Sequence, residues 1–240
     1  MRVSDEFPQW LRDMVSADDY LGLRYSVWQR RRQKRPRKGP PAKRQSTTFP
    51  PELEELRREV LACRRCPISA SRRNAVFGEG NPNAALVFVG EAPGEQEDIQ
   101  GRPFVGRAGQ LLTRLLEELG SNRDEVFIAN VLKCRPPGNR TPKAEEILNC
   151  HSFLMRQLRL IKPRVVCALG AVAAQTLLKR SGSMSRLRGR FFRSGSFWII
   201  PTYHPAYLLR NPAATDTVRA DIQAALRVAQ GEEPPQHLIT

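Results

Sequence analysis

The chain has 240 residues with 39 Lys and Arg against 24 Asp and Glu, giving a formal charge of +15 and a pI of about 10.5. That length suits one core of ordinary size. No apolar run approaches the ~20 residues of a membrane span, and the N-terminus, with Asp5 and Glu6 before any apolar run, does not read as a signal peptide. The basic excess favours a polyanionic partner over a merely solvated surface, and five cysteines in a chain read as cytosolic point to metal ligands before disulfides.

Residues 1–50 read as a basic N-terminal extension. Within it, residues 30–44 hold nine basic residues and no acid, so the stretch cannot bury a face and is expected to be partly disordered. Its two readings are an arm that contacts nucleic acid and a tail with no dedicated role. From Pro50 the pattern becomes regular. Leu53, Leu56, Val60 and Leu61 predict a helix over 51–63, opened by proline in its first turn. Four short apolar, β-branched runs predict strands over 85–89, 126–131, 164–169 and 197–201. Helical spacing falls between and after them, over 106–119, 142–160, 171–179 and 213–229. This alternation predicts an α/β fold with a parallel sheet covered on both faces, one domain over 51–230, and a tail over 231–240.

Cys63 and Cys66 form a Cys-x-x-Cys pair, Cys134 follows the second strand and Cys150 lies in a helical stretch. Four thiolates make a closed set suited to zinc or to an iron-sulfur cluster, and spacing alone does not choose between them. A redox pair normally opens a helix, whereas this one ends a helix before Pro67. The bland alternative is four unrelated buried thiols. His151 competes as a zinc ligand, and Cys167, inside an apolar strand, reads as core.

Three strands end in polar groups that can converge at the carboxyl edge of a parallel sheet, where open α/β folds hold ligands. The first runs into Gly90-Glu-Ala-Pro-Gly-Glu-Gln-Glu-Asp98, which offers Glu91, Glu97 and Asp98 in a loop. Phe104 then precedes a helix start at Gly106 and Arg107. It reads either as a platform for a planar base or as a staple for that helix, while the helix start with Arg107 is suited to a phosphate. The second strand ends at Asn130, whose amide pairs a donor with an acceptor, enough to read a pyrimidine edge or simply to cap a turn. The last ends at His204-Pro205, where proline holds the histidine extended.

The turn 90–98, together with Gly101-Arg-Pro-Phe-Val-Gly106, Asn130-Val-Leu-Lys-Cys-Arg-Pro-Pro-Gly-Asn-Arg-Thr-Pro142, His204-Pro-Ala-Tyr-Leu-Leu-Arg210 and the four cysteines, resembles the family 4 uracil-DNA glycosylases over residues 51–230. The resemblance implies a three-layer αβα sandwich with a four-stranded parallel central sheet and a [4Fe-4S] cluster on Cys63, Cys66, Cys134 and Cys150. It implies a monofunctional glycosylase that flips uracil out of double- or single-stranded DNA, hydrolyses its N-glycosidic bond and leaves an abasic site for base excision repair. A cytoplasmic monomer with no membrane partner, nucleoid-associated when on DNA, goes with that reading.

By the same resemblance the uracil pocket comprises Glu91, Ala92, Pro93, Glu97, Phe104, Asn130 and His204. Asn130 reads the base edge, Phe104 lies under the ring, and His204 donates to uracil O2 as charge builds there. Glu91 positions water or supports the sugar cation, and Glu97 lines the pocket against a thymine methyl. Arg107, Arg140, Tyr207, Leu208 and Arg210 contact DNA, with Tyr207, Leu208 and Leu209 filling the gap left by the flipped base. Ala92 stands where relatives with a Gly-Gln-Asp-Pro turn carry Asp, so their mechanism does not transfer unchanged. The rival readings are a non-catalytic uracil-binding or polymerase-associated domain of this fold and a zinc-bound structural adaptor. A related group that traps DNA through a His-containing insertion is disfavoured, because 136–142 is compact and holds no histidine.

Overall fold

The computed structural model describes residues 49–240, so the expectations for the N-terminal extension lie outside the described residues. The elements in chain order are α1 (Pro51–Ala62), β1 (Glu79–Gly80), β2 (Leu86–Gly90), α2 (Glu95–Gln100), α3 (Arg107–Glu118), β3 (Phe127–Asn130) and α4 (Ala144–Ile161). They continue with β4 (Val165–Leu169), α5 (Ala171–Leu178), α6 (Met184–Leu187), β5 (Phe192–Ser194), β6 (Phe197–Thr202), α7 (Pro205–Leu208) and α8 (Thr215–Ala229). One six-stranded sheet runs β1-β3-β2-β4-β6-β5. Its four central strands are parallel, as expected, and the edge strands β1 and β5 are antiparallel additions.

Every residue of β2, β3 and β4 is buried, the condition of parallel strands covered on both faces. Alternate side chains divide between two cores. Val87, Val89, Phe127, Ala129, Val166, Ala168 and Ile199 pack with residues of α1, α4, α5 and α6. Leu86, Phe88, Ile128, Val165, Cys167, Leu169 and Ile200 pack with α3, α7 and α8. Period-two alternation of an entirely apolar strand thus builds the three layers, and Cys167 is core. The chain leaves β2 on the α3 face and leaves β4 on the α5 face. Neighbouring strands whose connections diverge open a crevice at their carboxyl ends, and the polar strand-end residues lie there.

The tail returns to the sheet edge: Phe191 N–H donates to Leu238 O (2.7 Å) and Thr240 N–H to Phe191 O (2.9 Å). No helix among the described residues is long and apolar enough to cross a membrane.

Candidate active site

The ends of β2 and β3 are in parallel register, with Gly90 beside Asn130. Beyond them Val131 N–H donates to Gly90 O (2.9 Å) and Leu132 N–H to Glu91 O (3.0 Å), so Glu91 and Asn130 are held side by side by backbone alone. Asn130 is 2 % exposed, and its Oδ1 is a buried acceptor with no hydrogen-bond partner, a condition shared among the described residues with Thr176 Oγ1. A buried acceptor left unpaired costs about 1–3 kcal/mol. At a strand end facing a crevice, it marks where a ligand's donor belongs. Gly90 is required there: a Cβ at this position would overlap Asn130 Oδ1 and come within 2.5 Å of Phe104 Cζ.

The Phe104 ring is buried and lies 5.5 Å, centroid to centroid, from the His204 ring at a tilt of 31°. His204 Nδ1 accepts the N–H of Ala206 (3.1 Å), which leaves the imidazole proton on Nε2. Enclosure by protein draws its pKa down to about 4, with Glu97 opposing, so at neutral pH His204 is an uncharged donor. Pro205 opens α7 directly after it, the turn that fixes the ring. Behind His204, Thr202 Oγ1 donates to buried Asp221 (2.6 Å), and the Arg188 guanidinium pairs with the same carboxylate. The end of β6 is thereby tied to α8.

Glu91 is half-buried and its carboxylate makes no hydrogen bond among the described residues. Burial pushes its pKa up to about 7, a value suited to a general base at neutral pH. Ala92 is half-buried and Pro93 buried beside it. Glu97 is engaged otherwise. It belongs to α2, not to a loop, and accepts the N–H groups of Gly94 (3.1 Å), Val105 (2.8 Å) and Gly106 (2.8 Å). With both oxygens taken by backbone, this carboxylate joins the Glu91 turn to the Phe104 loop.

The DNA-contact set divides. Arg107 and Arg210 are exposed, and Tyr207 stacks on Tyr203 at 4.8 Å. Arg140 forks onto Glu146 with contacts of 2.9 and 2.6 Å. Leu208, expected to push into the duplex, is 2 % exposed and packs in the core under the loop, whereas Leu209 is 37 % exposed. Of the two adjacent leucines it is Leu209, the residue that caps α7, that faces outward.

At the other side of β3 the four spaced cysteines come together, buried or half-buried and within electrostatic range of one another. Burial raises the thiol pKa values of Cys66, Cys134 and Cys150, the last to about 11. Hydrogen-bond donors already face the sulfurs: Arg72 Nη1 lies 2.8 Å from Cys134 Sγ and Lys133 N–H 3.4 Å from Cys150 Sγ. Arg72 Nη2 also donates to the carbonyls of Leu61 and Cys63. Among the described residues no three His, Cys, Asp or Glu donors stand close enough for one metal ion. A closed set of four thiolates suits an iron-sulfur cluster as well as zinc.

Two groups of consequence were given no role by the sequence reading. Lys133 is 1 % exposed, and its Nζ donates to Asn130 O (2.8 Å) and Gln157 Oε1 (2.6 Å). Burial draws its pKa down to about 8, against the pull of Cys150 and Cys134. Arg123 holds the Phe104 loop by its carbonyls. The signals for Lys133 were its place in the 130–142 motif and a basic residue directly after the apolar strand end; Arg123 gave none.

A three-layer sandwich with open polar groups at the carboxyl ends of its strands is an architecture that holds ligands in that crevice. The family model for the uracil DNA glycosylase superfamily matches residues 77–227, and the chain belongs to that superfamily. Within it the chain stands with the type-4 uracil-DNA glycosylases. It is 50% identical to that of Thermotoga maritima over 161 residues, covering 66% of this chain and 84% of that protein. It is 42% identical to that of Sulfurisphaera tokodaii over 186 residues (74% and 84%) and 40% identical to that of Archaeoglobus fulgidus over 190 residues (76% and 96%).

Proposed function

We propose that the chain extracts uracil from DNA into the crevice between Asn130, Phe104, Glu91 and His204 and hydrolyses its N-glycosidic bond there. It is a uracil-DNA glycosylase, a hydrolase of N-glycosyl bonds acting in base excision repair. The observation that carries the reading of the pocket is the orphaned Asn130 Oδ1. Uracil presents an N3–H donor that would satisfy it, with O4 accepting from the same amide. Cytosine presents an acceptor at N3 and a donor at C4, so both contacts would be mismatched, a discrimination of about 1–3 kcal/mol per buried group.

Cleavage develops positive charge on deoxyribose and negative charge on the departing base. Neutral His204, with its proton on Nε2, can donate to uracil O2 as that charge grows, without first losing a proton to water. Glu91 is the carboxylate free to orient water or to face the sugar cation, and its elevated pKa supports the first role. With Ala92 at the position of an Asp in other branches, no second carboxylate beside Glu91 supplies this function. Glu97 takes a positioning role, holding the Phe104 loop, in place of contact with a thymine methyl.

Phe104 would lie under the flipped base. Leu209, rather than Leu208, is the apolar group available to enter the duplex, with Arg107 and Arg210 on phosphate; Arg140 reaches DNA only by leaving Glu146. Leu209→Ala should lose more activity on duplex than on single-stranded DNA, and an equal loss on both would remove the wedge.

Cys63, Cys66, Cys134 and Cys150 are the residues that would hold a [4Fe-4S] cluster, a reading supported by their convergence and by the similarity of the chain to the type-4 glycosylases. Such a group would supply structure here, tying α1 and α4 to the segment after β3. A spaced thiolate set of this kind goes with a reducing cytosol as the setting, with double- or single-stranded DNA as substrate and a monomer as the working unit.

The deciding experiment is incubation with an oligonucleotide carrying one uracil, followed by alkaline cleavage, beside controls carrying thymine and cytosine. Strand scission at uracil alone is expected. Binding without an abasic product at any enzyme level would leave only a DNA-binding domain.

A further inference from the structure

Phe104 is held in a conformation its residue type resists. Its φ is +51°, in the left-handed region that costs a non-glycine residue about 1–2 kcal/mol. Packing on one side explains part of this: Gly109, in the first turn of α3, passes so close that a Cβ there would overlap the Phe104 backbone. On the other side lies a shallow cavity of about 270 Å³, bordered by Gln100, Arg102, Val105, Gln110, Thr113 and Arg123. Beside the packing of its buried ring, something further holds the loop on this open side.

That something is a guanidinium. Arg123 Nη2 donates to Pro103 O (2.7 Å) and Nη1 to Phe104 O (3.0 Å), so one planar group grips two consecutive carbonyls across the strained residue. Nη1 also reaches Thr113 Oγ1 (3.3 Å) on α3. Arg123 is in turn held by Glu79 of β1, through Nε to Oε1 (3.1 Å), and Arg102 brackets the same carboxylate with Nε at 2.7 Å from Oε2. Burial works to raise the Glu79 carboxyl, and the Arg102 and Arg123 charges overcome it, leaving its pKa below the ordinary value. The clamp is thus ionised and oriented at neutral pH. Only a fork with fixed donors can span two carbonyls and a carboxylate at once; a lysine ammonium on a flexible stem cannot.

We infer that Arg123 is a positioning residue for base stacking: it locks Phe104 in the left-handed conformation that sets its ring beside His204 and Gly90. The inference rests on the reading of Phe104 as the platform for the flipped base.

The test is a double-mutant cycle on a duplex oligonucleotide with one uracil, reading single-turnover kcat/KM together with the melting temperature. Phe104→Ala is expected to lose 10- to 100-fold, the scale of one base–aromatic stack at about 1–3 kcal/mol. Arg123→Lys should lose about tenfold in the wild-type background but less than twofold in the Phe104→Ala background, because a clamp has no effect without its ring. The same tenfold loss in both backgrounds, or no loss in the wild type, overturns the inference while leaving the stacking role intact. No loss from Phe104→Ala removes the stacking role itself. Should Arg123→Lys fail to fold, Glu79→Gln carries the same comparison: it keeps Arg123 but loosens it, with a smaller loss that again vanishes in the Phe104→Ala background. Persistence of that loss would overturn the inference equally.

Discussion

The two ends of the segment 130–134 stand in opposite surroundings. At Asn130 the polar groups are left open: an amide oxygen without a partner, the Glu91 carboxylate without a hydrogen bond among the described residues, and an imidazole kept neutral by enclosure. Four residues on, at Cys134, the groups are braced, with Arg72 on the sulfur and on two carbonyls and a backbone N–H on Cys150. A pocket that must recognise a base keeps its unsatisfied groups for the substrate, and each costs stability while it waits. The cysteine corner spends its donors inside the protein. Open and braced groups are thus divided along one short stretch of chain, and mutations on either side should separate.

The largest separation is expected at His204. One donor to a developing oxyanion is worth about 3–4 kcal/mol, so His204→Ala should lower kcat by 10²–10³-fold while the visible absorbance of a bound cluster stays unchanged. Loss of that absorbance would show that the two corners are not independent. Next comes Glu91. Burial raises its pKa to about 7, and the carboxylate is the form that can accept a proton or face a cation. Activity should therefore fall about tenfold per pH unit below 7 and level off above it. Glu91→Gln should lose about 10²-fold and flatten that limb of the profile; an unchanged limb would assign the titration to another group.

How much of this division was legible follows the physics of each signal. The four parallel strands were readable because burial on both faces demands continuous apolar runs, and Gly90, Asn130 and His204 were readable because they end such runs. The edge strands β1 and β5 were missed: two or three residues, Glu79–Gly80 and Phe192–Ser194, are too few to show a period. The short helix α2 was taken for a loop because its first turn is acidic and its cap is a side chain, Glu97, whose partners are backbone groups that sequence does not display. For the same reason the hydrogen bonds from Glu97 to the Phe104 loop were not foreseen. Leu208 and Leu209 are indistinguishable in composition, and only the direction of a four-residue helix sorts them. Arg123 lies far along the chain from the carbonyls it grips, a relation no local pattern encodes.

Lys133 tests the boundary between the corners with a smaller effect. Its ammonium is almost wholly buried and holds the Asn130 carbonyl and Gln157 Oε1, while Gln157 Nε2 donates to Phe77 O (2.8 Å). Lys133→Met keeps the volume and removes the donor, leaving two buried acceptors each worth about 1–3 kcal/mol when unpaired. The melting temperature should fall by several degrees, about 4–8 °C per kcal/mol in a small domain and less in one of this size. If Lys133 serves the pocket, the freed end of β3 lets Asn130 shift, and KM for uracil-containing DNA should rise about tenfold with cluster absorbance retained. If it serves the cysteine corner, absorbance should fall with KM unchanged. The side chain reaches toward Asn130 while only its backbone N–H meets Cys150, so the first outcome is the expected one.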